Sequence, residues 1–302
     1  MSAGEGRIPS LRTGGAISLP ARRRRNRLMI TAMVGAVLLA VVPLVLILAE
    51  VIIKGVGQLS LGFLTQPVPF SQIAAGGGYG AGIRGTIKMV VLGTVVSVPI
   101  GVLAAVYLNE YDPRGPLATV VRFFADVMTG IPSIFVGIFV FTVVVLGTHS
   151  FSSWAAGLAL GILMLPVVVR TSEEALRFVP NTLREASLAL GVRRWRTIVS
   201  VVLPTALPTI TTGALLAVAR AAGETAPLLL TAFGNQLLVP WGSWNGPEES
   251  LTLQIFTDSR SPFPAQQARA WTGALVLIVG VLILSLVARA IIARRSTLRS
   301  AR

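Results

Sequence analysis

Long uncharged apolar runs alternate along this chain with short connections that carry most of the charge. Leu28 to Ala49 is uncharged over 22 residues and Met89 to Asn109 over 21. Val127 to Val169 has no formal charge over 43 residues, interrupted by the polar stretch GTHSFSS at 147–153, so it holds two spans. Thr197 to Ala219 and Ala270 to Ala288 supply the last two runs. A bilayer core takes roughly 20 mostly apolar residues per helix. The pattern therefore predicts six helices, at about 28–53, 81–109, 119–147, 154–178, 205–233 and 268–292. The stretch 234–247 is also uncharged, but GNQLLVPWGSWNGP is too rich in Gly and Pro to span. The fold class is all-α integral membrane.

Composition agrees with the pattern. The 302 residues are 53% hydrophobic and 13% charged, with a mean hydropathy of +0.77. A soluble domain carries about 25% charged residues, so too little polar surface is present to coat a soluble globule. Cysteine is absent, which excludes disulfides, thiolate catalysis and Cys-based metal sites. The single histidine, His149, excludes HExxH metal sites and speaks against a Ser/His/Asp triad. The two lysines, Lys54 and Lys88, do not stand in a Walker A loop, so the chain is not itself a P-loop ATPase. No cofactor, metal or catalytic residue is expected. The net charge of +14 raises nucleic acid as a partner. The basic residues cluster between apolar runs rather than among aromatics on a soluble face, which argues against nucleic acid and for membrane lipid.

That clustering orients the spans. Seventeen Arg fall on one side, in the tail before Leu28, near 110–118, in the loop at 179–204 with Arg177 at its edge, and after Ile292. Only Lys54 and Arg260 fall on the other. The positive-inside rule then makes both termini cytoplasmic. The organisation reads as a basic tail at 1–27, a six-helix domain at 28–292 with a cytoplasmic loop at 179–204, and a second tail at 293–302. The first apolar run exceeds a usual signal-peptide core and lacks a small-residue cleavage site before Glu50, so it is expected to stay as a helix.

The cytoplasmic loop carries the most specific signal. Pro180 interrupts the fourth helix. Thr182 and Glu185 have the spacing of a capping box, which predicts a new helix from about 183. Gly191 supplies a left-handed stop. For Glu185 alone, a capped amphipathic surface helix is the plainer reading. The spacing adds more: Glu185-Ala186-Ser187, three residues, Gly191, nine residues, Val201, one residue, Leu203-Pro204. This resembles the EAA loop of ATP-binding-cassette importer permeases, with Ser187 in place of the second Ala and Val201 in place of Ile. Further segments, TGIPSIFVG at 129–137, VPNTLREASLALG at 179–191 and ARAAGETAPLL at 219–229, are similar to the phosphate-specific permeases of that family, in the A type of their two paired subunits. The resemblance covers most of 80–290. It implies a type I importer permease architecture in which the short helix docks on a cytoplasmic ATPase dimer. It also implies a homologous C-type permease as the other half, and an extracytoplasmic phosphate-binding protein.

Charges inside the predicted spans are the other candidates. Arg220 falls about 15 residues into the fifth predicted helix, near the bilayer middle, with Glu224 one turn on. A charge there costs about 2.5–3.5 kcal/mol on insertion scales. Such residues usually line a wet path or pair inside a bundle, and a purely structural ion pair is the alternative. Gly223 allows close approach of another helix, and Pro227 frees a carbonyl one turn back. The resemblance implies that Arg220 and Glu224 take part in phosphate passage. Arg170, near the cytoplasmic end of the fourth helix, is a further candidate for the path. Arg122 and Asp126 are expected to pair along their own helix. Arg84 and Lys88 either attract an anion at the outer mouth or snorkel to headgroups. Trp241, Trp244 and Trp271 read as interface anchors, His149 as a polar outer-loop residue, and 247–256 as a short outer helix.

The sequence thus reads as half of a translocation pathway for inorganic phosphate, driven by ATP hydrolysis on a partner. A permease for another oxyanion such as sulfate or molybdate, and an ion-coupled secondary transporter, are the alternatives.

Overall fold

The computed structural model describes residues 19–71 and 73–300, with the backbone alone for Leu19, Ala21 and 291–300. Arg7 and Arg12 of the expected basic tail, and Arg302 at the other end, lie outside the described residues. The chain divides into two compact units, Met1–Glu50 and Val51–Arg302.

The first unit consists of the greater part of helix α1, Leu19–Gly55. It starts well before the expected 28 because Arg is a good helix former, Pro20 is tolerated in the first turn, and nothing in 21–27 breaks the helix. Its side chains from Leu28 to Ile47 are exposed, so this uncharged, mostly apolar stretch is available to lipid.

The second unit holds the rest. The short α2, Leu61–Thr65, is capped by the Ser60 hydroxyl, which accepts from the Phe63 N–H at 3.1 Å. Helix α3, Gly80–Val106, ends in a π-helical turn at Tyr107–Tyr111. Helix α4, Pro116–Gly130, and α5, Ser133–Val140, meet at a bend of 106°. The third predicted helix, 119–147, is therefore not one straight rod. Pro132 has no N–H to donate and forces Ile131 into extended backbone, which ends α4. A π-helical turn at Phe141–Val145 and α6, Leu146–Thr148, complete this segment. Helix α7, Ser153–Arg177, starts at the Ser152 cap, followed by α8, Asn181–Ala189, and α9, Arg194–Thr197. A π-helical turn leads into α10, Leu203–Ala222, and the short α11, Ala226–Thr231, follows. The fifth predicted helix is shifted: it runs from Arg194 to Ala222 and breaks there, short of the expected 233. Gly223 closes α10 and Pro227 opens α11 in its first turn, as each residue favours. Helix α12, Leu251–Ser259, and α13, Pro264–Ser300, end the chain. Among the described residues five helices are long and apolar enough to cross a membrane, and six spans result if the bent pair counts as one.

The core lies between α3, α7 and α10, where Met89, Leu160, Met164, Val168, Ala217 and Ala221 form one buried cluster. Small residues permit the approach. A Cβ on Gly93 would meet the Gly157 carbonyl and the Gly161 nitrogen at 3.0 Å, so the α3 and α7 backbones nearly touch, as in other small-residue membrane interfaces.

Candidate functional site

The loop helix α8 is built from behind. The Glu110 carboxylate, buried in the π-helical turn after α3, receives Arg184 Nη2 at 2.6 Å and Nε at 3.2 Å. The same guanidinium donates to the carbonyls of Val179 at 2.6 Å and Leu176 at 2.9 Å. Arg194 donates to the Glu110 carbonyl oxygen. Ser187, the residue that departs from the EAA pattern, is buried, and its hydroxyl pairs with that of Thr197 at 2.9 Å. The substitution thus adds a tie between α8 and α9. Gly191 takes φ +76°, as the spacing predicts, and the Val192 N–H closes on the Ser187 carbonyl at 3.2 Å. The expected capping box is absent. Pro180 occupies the cap position and α8 starts at Asn181 without a side-chain cap bond, so Thr182 is already inside the helix. Glu185 and Ala186 are exposed, with Leu188, Leu190 and Trp195 beside them. Leu203 packs against the buried Val202 and Ala206 cluster, and Pro204 is half-buried in the first turn of α10. One side of α8 is locked and the other is free.

Of the charges on the spanning helices, Arg220 and Glu224 pair at the expected spacing, whereas Arg122 and Asp126 do not. Arg220 Nε lies 3.7 Å from Glu224 Oε1, with the Arg side chain 60% exposed and the Glu side chain 18%. They are not on one continuous helix: Arg220 stands in the last turn of α10, where a cation favours the helix C-terminus, and Glu224 follows the break. Leu163, Met164 and Val167 of α7 line the wedge beside them, and the Thr252 hydroxyl donates to the Glu224 carbonyl at 2.9 Å. Arg122 and Asp126 do not pair with each other. Arg122 Nε donates to Glu173 at 2.8 Å and its other nitrogens hold the Pro113 and Leu108 carbonyls. Asp126 pairs with Arg170, whose Nη1 is 3.7 Å from Glu173. Arg177 Nη2 reaches Glu173 at 2.5 Å. Sequence spacing favoured the neighbour on the same helix, whereas packing of α4 on α7 supplies partners across helices. Towards the α8 end of α7, a cleft of about 340 Å³ lies between α7, α10 and α13, bordered by Thr171, Glu174, Thr209, Thr212, Ser285 and Arg289.

A third group joins Lys88, which the sequence singled out, to a partner that it did not. Lys88 does not snorkel; it is buried against Glu248, which also accepts from Ser153 Oγ at 3.0 Å. Lys88 donates to the Ser243 carbonyl at 2.5 Å and lies 5.4 Å from the Trp244 ring centroid. Arg84 lies over Trp241, and Lys54 over Trp271. In the connection before α12, burial pushes the Glu249 carboxyl up to about 7, against the Ser250 N–H bond that lowers it. Burial also raises Asp258 on α12, which accepts from the Tyr79 hydroxyl at 2.7 Å. The chain separation between Lys88 and Glu248 leaves no local pattern by which to find them. His149 is exposed and adopts φ +51° at the end of α6. Among the described residues no group of three His, Asp or Glu side chains is placed to hold a metal ion.

Comparison with known proteins places this geometry. Residues 97–297 match the family model described as binding-protein-dependent transport system inner membrane component. The chain is 40% identical over 275 residues to the phosphate transport system permease protein PstA of Yersinia pestis, covering 91% of this chain and 92% of that one. It is 43% identical to the protein of the same name from Xylella fastidiosa (strain Temecula1), covering 80% and 83%. It is 41% identical to PstA 1 of Mycobacterium tuberculosis (strain CDC 1551), covering 88% of each chain. In structure it resembles a chain of the inward-facing MetNI methionine ABC transporter, with a TM-score of 0.56 at 21% identity, covering 71% of this chain and 95% of that one.

Proposed function

The chain belongs to the family of binding-protein-dependent transport system inner membrane components, and from that premise we propose that it forms one half of an ATP-driven importer of inorganic phosphate. Membership makes it a multi-pass membrane permease subunit that works with an ATPase and a substrate-binding protein. The finer reading is that its partners are a homologous C-type permease, a dimer of cytoplasmic ATPase subunits and an extracytoplasmic phosphate-binding protein. Both termini and α8 then face the cytoplasm, in keeping with the seventeen-to-two division of basic residues.

The observation that carries the reading is α8. Its inner side is clamped through Arg184 and Ser187 while Glu185 and Ala186 are free. A helix so held can pass a push from an ATPase groove to the end of α3, through Arg184 and Glu110, and towards α10, through the Ser187–Thr197 bond to α9 and the π-helical turn that follows it. The substrate is supported by the relatives' names and by the Arg220–Glu224 pair. A guanidinium offers a planar fork of donors to phosphate oxygens. Phosphate near neutral pH keeps a P–OH group, which can donate to the Glu224 carboxylate; fully deprotonated sulfate has no such donor and meets repulsion. Between turnovers Glu224 neutralises Arg220. Alternating access then carries the anion past this pair and on towards Arg170.

The test is radiolabelled phosphate uptake into vesicles holding the full complex, with sulfate as control. ATP-dependent uptake of phosphate over sulfate is expected. Preference for sulfate, or uptake without ATP, overturns the substrate or the energy source respectively.

A further inference from the structure

Arg170 is held by two carboxylates of unequal character. Glu173 has a side chain 2% exposed and is fixed by Arg122 and Arg177, whose nitrogens both lie on Oε1. Asp126 has a side chain 60% exposed, and Arg170 is the partner of its carboxylate. The cluster contains three guanidinium groups and two carboxylates, so it carries an excess positive charge. Arg122 and Arg177 share Glu173 Oε1, and Glu173 Oε2 stays 3.7 Å from the Arg170 Nη1, so loss of Asp126 leaves the Arg170 fork with one distant and shared carboxylate. A carboxylate and a phosphate present similar pairs of oxygens to that fork, so one can exchange for the other.

The position suits such an exchange. Leu163, Val167 and Arg170 follow one another at helical spacing on a single face of α7. Leu163 and Val167 border the Arg220–Glu224 wedge. At 1.5 Å rise per residue, Arg170 lies only about 5 Å along the axis from Val167. An anion leaving Arg220 along α7 meets Arg170 next. Removing Asp126 does not detach α4, because Arg122 still ties that helix to Glu173 and to the Pro113 and Leu108 carbonyls.

We propose that Arg170 and Asp126 form a second oxyanion station, in which Asp126 occupies the Arg170 guanidinium until a phosphate-like anion displaces it. Asp126 is then a side-chain plug that keeps the inner part of the path closed to free anion. The proposal rests on the functional reading above and deepens it by naming a residue that controls leakage.

The experiment uses the complete complex in sealed vesicles loaded with radiolabelled phosphate, measuring efflux without ATP and, separately, ATP-driven uptake. Asp126→Asn keeps the shape and removes the charge. It is expected to raise efflux about tenfold, the scale of one charge-assisted bond. Arg170→Gln is expected to lower the kcat of uptake about tenfold with little change in KM. The double variant is expected to return efflux to the wild-type level, because the leak needs the freed guanidinium. A purely structural pair gives no leak in Asp126→Asn, or the same leak in the double variant, and either result overturns the proposal. If the wild-type complex shows no ATP-driven phosphate uptake, the functional reading fails instead; normal wild-type uptake without the Asp126→Asn leak sinks the plug alone.

Discussion

Lys88 and Glu248 show at the scale of single residues how this chain tolerates charge in its interior. The ammonium is enclosed by the Glu248 carboxylate, the Ser243 carbonyl and the Trp244 ring, and the carboxylate takes a second bond from Ser153. Breaking one side of such a pair strands the other, at a cost of about 3–5 kcal/mol. Lys88→Met is therefore expected to lower the thermal unfolding midpoint of the detergent-purified chain sharply, and adding Glu248→Gln should recover part of the loss. A double variant no more stable than Lys88→Met shows that the pairing is not what stabilises the site. Arg220 and Glu224 predict a different pattern, because the Arg side chain is mostly exposed in the single chain. Arg220→Gln should abolish phosphate uptake while the complex still assembles, and Glu224→Gln should disturb gating more than assembly. Wild-type transport in both reduces the pair to a structural role. Glu249 adds a dependence on pH. Its folded carboxyl binds a proton at about 7 against an ordinary 4.5. The folded state is thus favoured while the group is protonated, and the advantage is lost as pH rises from about 4.5 through 7, by up to about 3 kcal/mol. Glu249→Gln should flatten the stability profile across that window, as followed by thermal unfolding from pH 5 to 8. An unchanged slope assigns it elsewhere.

Among the elements, the spans were legible because an apolar run of fixed length is a local property. So was the stop at Gly191, which needs φ +76° and whose Val192 N–H bonds the Ser187 carbonyl. Breaks inside runs were harder. Pro132 and Pro227 are visible in the sequence, yet a proline within an apolar run is compatible with either a kink or a full break. Packing decides, and here α4 and α5 turn by 106°. The clamp behind α8 was not legible either, since Arg184 reaches Glu110 across 74 positions. Of the candidate site, the EAA spacing could be read from the chain, but the partners of Arg122, Asp126 and Arg170 could not. The left-handed stop at Gly191 can be tested directly. A valine at 191 costs about 1–3 kcal/mol of backbone strain, enough to shift the end of α8 without unfolding the spans. Gly191→Val should insert into the membrane normally but release the ATPase and lose uptake, as read by co-purification and transport. Gly191→Asn, which tolerates positive φ, should keep both. Intact ATPase recovery with Gly191→Val removes α8 from the coupling role.

For the whole molecule the arrangement of charge sets a direction that can be measured. Exposed charges on spanning helices, such as Asp126 and Arg220, are costly against lipid, so under the proposed assembly each is expected to meet the second permease or the aqueous path. The basic connections face inward under the proposed topology, placing Leu190 of the α8 loop in the cytoplasm and Phe70, before α3, outside. Both side chains are highly exposed. Because the chain contains no cysteine, single-cysteine variants report on topology without any background to remove. Leu190→Cys should resist a membrane-impermeant maleimide in intact cells, react in inverted vesicles, and become protected when the ATPase is present. Phe70→Cys should react from outside in intact cells and be indifferent to the ATPase. Reaction of Leu190→Cys from outside inverts the topology and takes the ATPase contact with it. Correct sidedness without protection keeps the topology but places the ATPase on another surface. The two readouts separate because sidedness depends on the distribution of arginine over the whole chain, whereas protection depends on one short helix and its exposed residues.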